Sequence, residues 1–346
     1  MMTRLQTLLG IELPIIQAPM AGVQGSAMAI AVSNAGGLGS LPCAMLSPET
    51  LRAELASIRA GTTKPFNVNF FCHSNPVPDA GREAAWRSTL GPYYREFGID
   101  AASIAAGPGR APFSAAIADL LDECVPPVVS FHFGLPVPGL LARVRRWGSK
   151  ILGCATTLEE ALWLEANGAD AIIAQGLEAG GHRGIFLNDD LGTQVGTFAL
   201  VQQIAAVVKI PVIAAGGIAD AKGVKAALAL GADGVQVGTA YLLCPEASTS
   251  AVHRAALKSP AADTTALTNL FTGRPARGIV NRVMREQGPL NAATPEFPLA
   301  TTSITPLRTK AESQGSGDFS PLWAGQNVHG CREIPAAELT RLLAET

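Results

Sequence analysis

Thr157-Leu158-Glu159-Glu160-Ala161-Leu162-Trp163-Leu164-Glu165-Ala166-Asn167-Gly168-Ala169-Asp170 and Asp220-Ala221-Lys222-Gly223-Val224-Lys225-Ala226-Ala227-Leu228-Ala229-Leu230-Gly231-Ala232-Asp233 are two versions of one pattern, 63 residues apart. Each opens on a residue that can cap a helix start. Thr157 and Glu160 have the spacing of a capping box, and Asp220 holds the same place in the second copy. The expected apolar stripes are Leu158, Ala161 and Leu162, followed by Glu165, and then Val224, Ala227 and Leu228. Gly168 and Gly231 can take the left-handed conformation that stops a helix. Both copies leave through Gly-Ala-Asp into an apolar run, Ala171–Ala174 and Gly234–Val237. The offset suits two strand-helix units. The helix between them shows in Phe198, Val201, Ile204, Ala205 and Val208 on one expected face.

Outward from this repeat lie similar short runs: Ile15–Ala18, Gly37–Leu41, Phe66–Phe70, Val128–His132, Ile151–Cys154 and Val212–Ala215. They do not alternate polar with apolar, which is the habit of strands buried on both faces of a parallel sheet. Eight such strands with helices between them predict an α/β fold of the closed (β/α)8 TIM-barrel type. An open dinucleotide-binding sheet would carry GxGxxG after its first strand, where Gln17-Ala18-Pro19-Met20-Ala21-Gly22 stands instead. A barrel uses about 250 residues, so roughly a hundred of the 346 are surplus. We expect one domain over 1–346, with a loop insertion at 72–112 over the barrel mouth and a helical, loop-rich excursion at 259–329. A closing helix is expected at Ala336–Ala344.

Composition excludes several classes. With 48% hydrophobic and 16% charged residues the chain can bury a large core. A net charge of −2 gives no basic footprint for nucleic acid or an anionic membrane. Mean hydropathy is +0.25, yet Lys209 and Pro211 break the most apolar stretch well short of a membrane span. Gln6, Glu12, Pro14 and Gln17 interrupt any signal-peptide core. Six scattered cysteines without CxxC read as reduced thiols, so a cytoplasmic protein is expected.

In such a barrel, chemistry sits just after the carboxyl ends of the strands. Gly216-Gly217, followed by a helix start at Ala219-Asp220, lets backbone N–H groups face an anion, and Gly238-Thr239 adds a hydroxyl donor beside it. The same glycines also serve as plain tight turns. Asn69 and Gln175 are amides at strand ends that can pair with a flat heterocycle or bond neighbouring loops. Taken with a phosphate, they fit flavin mononucleotide, its ring edge toward the first, third and sixth strands and Pro19-Met20-Ala21. His132 ends an otherwise apolar strand and can act as a base at the mouth, or be a core histidine bonded to a backbone carbonyl. His182 in Gly180-Gly181-His182-Arg183-Gly184 can touch substrate or order its loop, and Arg183 can draw an anion or stand as a solvated charge. His73 has no second ligand at metal spacing, so no metal is expected.

Together, Gln17–Val23, Asn67-Val68-Asn69-Phe70-Phe71, Ser130-Phe131-His132-Phe133-Gly134, Glu178–Gly184, Ala214-Ala215-Gly216-Gly217-Ile218 and Gln236-Val237-Gly238-Thr239 resemble the nitronate monooxygenase family, specifically its first class. The resemblance runs from about Pro14 to Leu243 and resumes in the C-terminal excursion. It implies an FMN-dependent oxidase that uses O2 and no nicotinamide, and that oxidises alkyl nitronates such as propionate 3-nitronate to a carbonyl compound and nitrite. One electron would pass to the flavin, and the semiquinone would hand it to O2. The histidine matching His132 would deprotonate neutral nitroalkanes, and Asn69, Gln175, Gly180, Gly217, Gln236, Gly238 and Thr239 would hold FMN. Partners beyond nitronate and O2 are not expected, and the chain would be a monomer or homodimer. Two other readings use the same features: an FMN-dependent NAD(P)H reductase of quinones or enoyl thioesters, and a cofactor-free barrel that binds phosphorylated ligands.

Overall fold

In the computed structural model, residues 2–104 and 110–345 are described. Eleven strands form in chain order: β1 (Ile15–Gln17), β2 (Gly39–Pro42), β3 (Phe66–Phe71), β4 (Val128–His132), β5 (Lys150–Ala155), β6 (Ala171–Gln175), β7 (Gly181–His182), β8 (Val212–Ala215), β9 (Gly234–Val237), β10 (Thr265–Thr268) and β11 (Ala276–Ile279). Eight of them make a parallel sheet in the order β1-β9-β8-β6-β5-β4-β3-β2. The sheet closes on itself through a bridge between Ile16 and Leu38, where Gln17 N–H donates to the Leu38 carbonyl at 3.0 Å. This is the (β/α)8 barrel expected from the sequence. The β2 strand starts two residues later than the apolar run, because Gly37 still belongs to the turn out of the preceding helix.

The repeat has a physical basis. Leu158–Ala166 and Ala221–Ala229 are both helices, capped by Thr157 and Asp220 and stopped near Gly168 (φ +92°) and Gly231 (φ +101°). In each Gly-Ala-Asp exit the aspartate ties its own strand to the preceding one. Asp170 accepts from Ile151 N–H at 2.7 Å, and Asp233 from Val212 N–H at 3.0 Å. The capping box at Thr157 is only half made. Glu160 turns away to take Thr156 N–H and Oγ1 at 2.7 Å and Phe186 N–H at 2.6 Å, tying its helix to the loop after β6. Of the expected apolar stripes, Ala161, Val201, Ile204, Val208, Val224 and Ala227 are buried, and two positions differ. Leu164 rather than Leu162 is buried, and Leu200 is buried where Phe198 is 68% exposed.

Inside the barrel the period of two decides what faces the mouth. The lower interior is apolar, with Val128, Leu152, Ile173 and Ile213 packed against Leu5 and Leu9 of the N-terminal helix Arg4–Leu9. Higher up, the same inward positions become polar: Asn67 and Asn69 on β3, Ser130 and His132 on β4, Gln175 on β6 and Gln236 on β9.

The 72–112 stretch is not simply a loop. It contains the helix Ala80–Phe97, capped by Asp79, despite Gly81, Gly91 and Pro92; residues 105–109 of this stretch lie outside the described residues. Trp86, Leu90, Tyr93 and Tyr94 of that helix pack against Phe271, Met284, Ile304, Leu307 and Phe319 of the excursion. Insertion and excursion therefore share a core beside the mouth. The excursion holds β10, β11 and the helix Thr301–Ser313, and the closing helix runs Ala336–Leu343. A small antiparallel sheet, β10-β11-β7, pairs Ala276 with His182 and Arg277 with Gly181. Among the described residues no helix is long and apolar enough to cross a membrane.

Candidate active site

A cavity of about 280 Å³ opens at the carboxyl end of the barrel. Its wall includes Pro19, Met20, Ala21, Asn69, His132, Gln175, Gly180, His182, Gly216, Gly217, Gln236, Gly238 and Thr239. The structure thus brings together every residue singled out in the sequence except Arg183.

One side of the cavity is built from backbone. After β8, Gly217 has φ +72°, a conformation that a side chain makes costly. The chain then enters the helix Ala221–Ala229, whose Asp220 cap takes Gly223 N–H at 2.8 Å. After β9 a 3-10 turn, Thr239–Leu243, begins without any side-chain cap. Its Thr239 hydroxyl accepts Gly325 N–H at 2.9 Å, so its own hydrogen stays free to donate. The glycine turn Gly216-Gly217, together with the uncapped start of the Thr239 turn beside it, makes a backbone anion cradle. Gly180 is a matter of space: a Cβ there would lie 2.5 Å from the backbone N of Gly325, which crosses the cradle as a strap.

The amides leave acceptors and donors in reserve. Asn69 Nδ2 donates to Ser130 Oγ at 2.9 Å and to the Ser130 carbonyl at 3.2 Å, so its Oδ1 remains to accept. Gln236 Oε1 is buried without a donor. Gln175 also does the loop-bonding job: Nε2 donates to the His182 carbonyl at 3.0 Å and Oε1 accepts Gly184 N–H at 2.8 Å. One hydrogen and one lone pair of that amide are left over. Free acceptors and donors on amides beside a backbone anion cradle suit a phosphorylated heterocycle that offers both a ring N–H and ring acceptors, so the residues present fit FMN.

The other side is built from rings. Phe71 lies 5.9 Å from His132, 4.9 Å from Phe133, 6.2 Å from His182 and 6.1 Å from Phe297, centroid to centroid. His73 packs on Phe297 at 4.8 Å, and Trp323 on His182 at 5.6 Å. Phe133, directly after His132, holds a left-handed φ of +69°, unusual for a bulky residue and costing about 1–2 kcal/mol. Arg274 lies over its ring, Cζ 4.1 Å from the centroid.

His132 Nε2 sits 3.2 Å from the His182 carbonyl oxygen. A carbonyl only accepts, so Nε2 carries the hydrogen and Nδ1 the lone pair. Burial pushes His132 down to about 4, with the Arg274 and Arg183 charges adding to the effect. His132 therefore makes the backbone-carbonyl bond that the sequence left open beside the base role, and it is neutral throughout the physiological range. Burial also lowers His182 well below the ordinary value, helped by Arg110. His182 Nε2 meets Thr272 Oγ1 at 2.9 Å.

Arg183 needs a larger correction. It is neither a solvated charge nor an anion lure, because its side chain is fully buried and turned away from the cavity. It donates to the carbonyls of Gly176 and Gln175, each at 2.7 Å, and to Gln194 Oε1 at 3.0 Å. Arg183 thus locks the loop after β6 from beneath. Glu178 does the same from the side by accepting Thr197 N–H and Oγ1, and Arg277 by donating to the Leu177 carbonyl at 2.9 Å. Sequence reasoning missed Arg110, Arg274, Phe297 and Trp323. Each comes from the insertion or the excursion, where no strand end marks it. Phe71 was within reach, since it continues the inward period of Asn67 and Asn69.

Comparison with known proteins agrees with this geometry. A family model described as nitronate monooxygenase matches residues 2–345. A protein of Pseudomonas aeruginosa PAO1 named nitronate monooxygenase is 46% identical, with 100% of this chain and 99% of that protein covered. Among solved structures, nitroalkane oxidase from Streptomyces ansochromogenes superposes with a TM-score of 0.89 at 40% identity, covering 99% of this chain and 97% of the other. FabK from Thermotoga maritima follows the same path more loosely, with a TM-score of 0.69 at 28% identity over 99% of this chain and 95% of that one.

Proposed function

The chain belongs to the nitronate monooxygenase family, and from that premise we propose that it oxidises alkyl nitronates, propionate 3-nitronate among them, with FMN and O2, giving a carbonyl compound and nitrite. It is an oxidoreductase of a flavin-dependent family. The observation that carries the finer reading is the pairing, across one cavity, of a backbone anion cradle with a neutral imidazole whose tautomer is fixed.

FMN, when bound, supplies the electron transfer between nitronate and O2. The chain's own residues hold and shield. Gly217, Gly238 and Thr239 would take the phosphate, and Asn69, Gln175 and Gln236 the ring edge. Pro19-Met20-Ala21 and Gly180 line the same space. The rings of Phe71, Phe133 and Phe297 keep water from the reacting carbon, and Arg274 places positive charge on the His132 side of the site, beside a substrate that is an anion. For a neutral nitroalkane, Nδ1 of His132 would take the proton from carbon. Its weak basicity is offset because the nearby Arg274 charge stabilises the nitronate left behind.

The test compares His132→Asn with the parent on nitroethane and on preformed ethylnitronate. Removal of a general base should cost about 10²–10³-fold on the neutral compound and under about 10-fold on the anion. Equal losses on both would remove the base assignment. A second reading gives the proton to His182, whose ring rests on a hydroxyl rather than a carbonyl. In that case His182→Asn shows the split and His132→Asn does not. Anaerobic NADH is the control for the reductase reading, since rapid bleaching of the yellow colour would favour it.

A further inference from the structure

We propose that Arg110 is a specificity residue, its guanidinium binding a carboxylate that the nitronate carries a few bonds from the reacting carbon. The inference deepens, and rests on, the nitronate-oxidising reading above.

Arg110 lines the cavity. Its Nη1 donates to Thr301 Oγ1 at 3.2 Å, and its Cζ lies 5.7 Å from the Phe297 ring centroid. Among the described residues no carboxylate forms an ion pair with it; the other charge that acts on it is a cation, Arg308. Burial lowers its affinity for its own proton, so the site holds a desolvated positive charge without a counter-ion among the described residues. Such a charge is expensive unless an anion meets it. A guanidinium has five N–H donors in a planar fork suited to carboxylate, and among the described residues one of them is engaged, by Thr301.

The surroundings fix where that anion would sit. Phe297 packs on both His182, at 5.3 Å between centroids, and His73, at 4.8 Å. Arg110 stacks on the same ring, and its carbonyl accepts from His73 Nε2 at 3.0 Å. The guanidinium therefore stands about one ring beyond the imidazole pair rather than against it. Among the described residues the one acidic side chain in the cavity wall, Glu312, is already taken by Arg308 at 2.8 Å and Ser320 at 2.7 Å. In the cradle it is Thr239 and Gly217 that are tied to the 325–327 strap, and Arg110 makes no bond there, so the cofactor phosphate and the proposed carboxylate have separate partners.

The test uses holoenzyme of the parent, Arg110→Met and Arg110→Lys with propionate 3-nitronate and ethylnitronate. Loss of a buried charge partner should raise KM for the carboxylated substrate by about 30-fold or more in Arg110→Met. KM for ethylnitronate should change by less than about 2-fold, because no ion pair is lost there. Arg110→Lys should recover part of the difference. Equal effects on the two substrates would overturn the proposal, and so would loss of flavin from Arg110→Met, which would make Arg110 a cofactor contact. Should Arg110→Met fail to fold, Arg110→Gln, which can keep the Thr301 bond, is read in its place. Calorimetric titration with succinate, which cannot be oxidised here, decides independently of turnover: binding by the parent and none by the neutral variant supports the assignment, and unchanged binding overturns it. A parent that oxidises neither nitronate sinks the functional reading, while the succinate result still judges Arg110.

Discussion

The two sides of the barrel mouth are made of different material. On the side of β8 and β9 the wall is backbone: Gly216-Gly217, Gly238-Thr239 and two helix starts, with no charged side chain needed. On the side of β3, β4 and β6 the wall is side chains: Phe71, His132, Phe133 and His182, joined by Phe297, Arg110 and Trp323 from far along the chain. A backbone site can be written in a few consecutive residues, since a glycine turn before a helix is a local event. A side-chain site is assembled by tertiary folding, so its members share no spacing. The contrast predicts that substitutions on one side should cost cofactor and on the other chemistry.

The sharpest way to break that division is Gly217→Leu. At φ +72° a non-glycine residue is strained, and a Cβ there meets Glu178 Cβ only at an ordinary 3.4 Å, so the fold should tolerate it. The remaining atoms of the leucine would project into the cradle. We expect FMN affinity to fall at least about 100-fold, because each displaced charge-assisted bond is worth about 1.5–3 kcal/mol. The measurement is flavin absorbance per protein after purification and after adding FMN, beside His182→Asn, which should stay yellow. Full colour in Gly217→Leu would move the phosphate elsewhere.

The same division explains what the sequence reveals. The barrel was legible because parallel strands buried on both faces leave continuous apolar runs, and because the Gly-Ala-Asp exits serve an identical purpose at Asp170 and Asp233. The cradle was legible for the local reason just given. His132 was legible as the last inward position of an apolar strand, but its tuning was not, since that depends on burial by Phe71, Phe133 and the loop after β6. Arg183 was misread because a charge in a glycine-rich loop resembles a solvated one; only the fold shows three acceptors around its guanidinium. Helix Ala80–Phe97 was hidden by its glycines and proline, and its stability comes from packing Trp86 and Tyr94 on the excursion rather than from propensity.

Acid separates the two sides in a second way. His73, His132, His182 and His253 are all lowered by burial, and His132 and His253 reach about 4. Between those values and 6.5 the unfolded chain binds more protons than the folded one, so stability is complete above about 6.5 and falls as pH drops toward 4. The charges of Arg110 and Arg274 on the same wall deepen the effect. At about 1.4 kcal/mol per unit, each of the two histidines at 4 can withdraw on the order of 3 kcal/mol across that window. Thermal unfolding of apoprotein should show a clear fall in Tm from pH 7 to 5, above the range where the carboxylates titrate. His253→Asn should reduce that fall by its own share and leave the part due to His132 and His182, whereas Gly217→Leu should leave the slope untouched. A Tm constant over that interval would mean that water reaches the histidine wall.

The smallest expected effect tests a single donor in the cradle. In Thr239→Val the side chain keeps its volume and β-branched shape but loses the hydroxyl, which accepts the strap's Gly325 N–H and offers its own hydrogen to the cavity. Two modest bonds are involved, and in the free protein water can replace the first. Net loss should be about 1 kcal/mol, or roughly 5-fold in FMN dissociation constant, by the usual worth of one neutral hydrogen bond. Flavin fluorescence titration reads it, and Thr239→Ser should restore the parent value. If Thr239→Val weakens FMN as severely as Gly217→Leu, the strap through Gly325 and not the glycine backbone is the dominant anchor, and the division between the two sides gives way to one in which the excursion holds both.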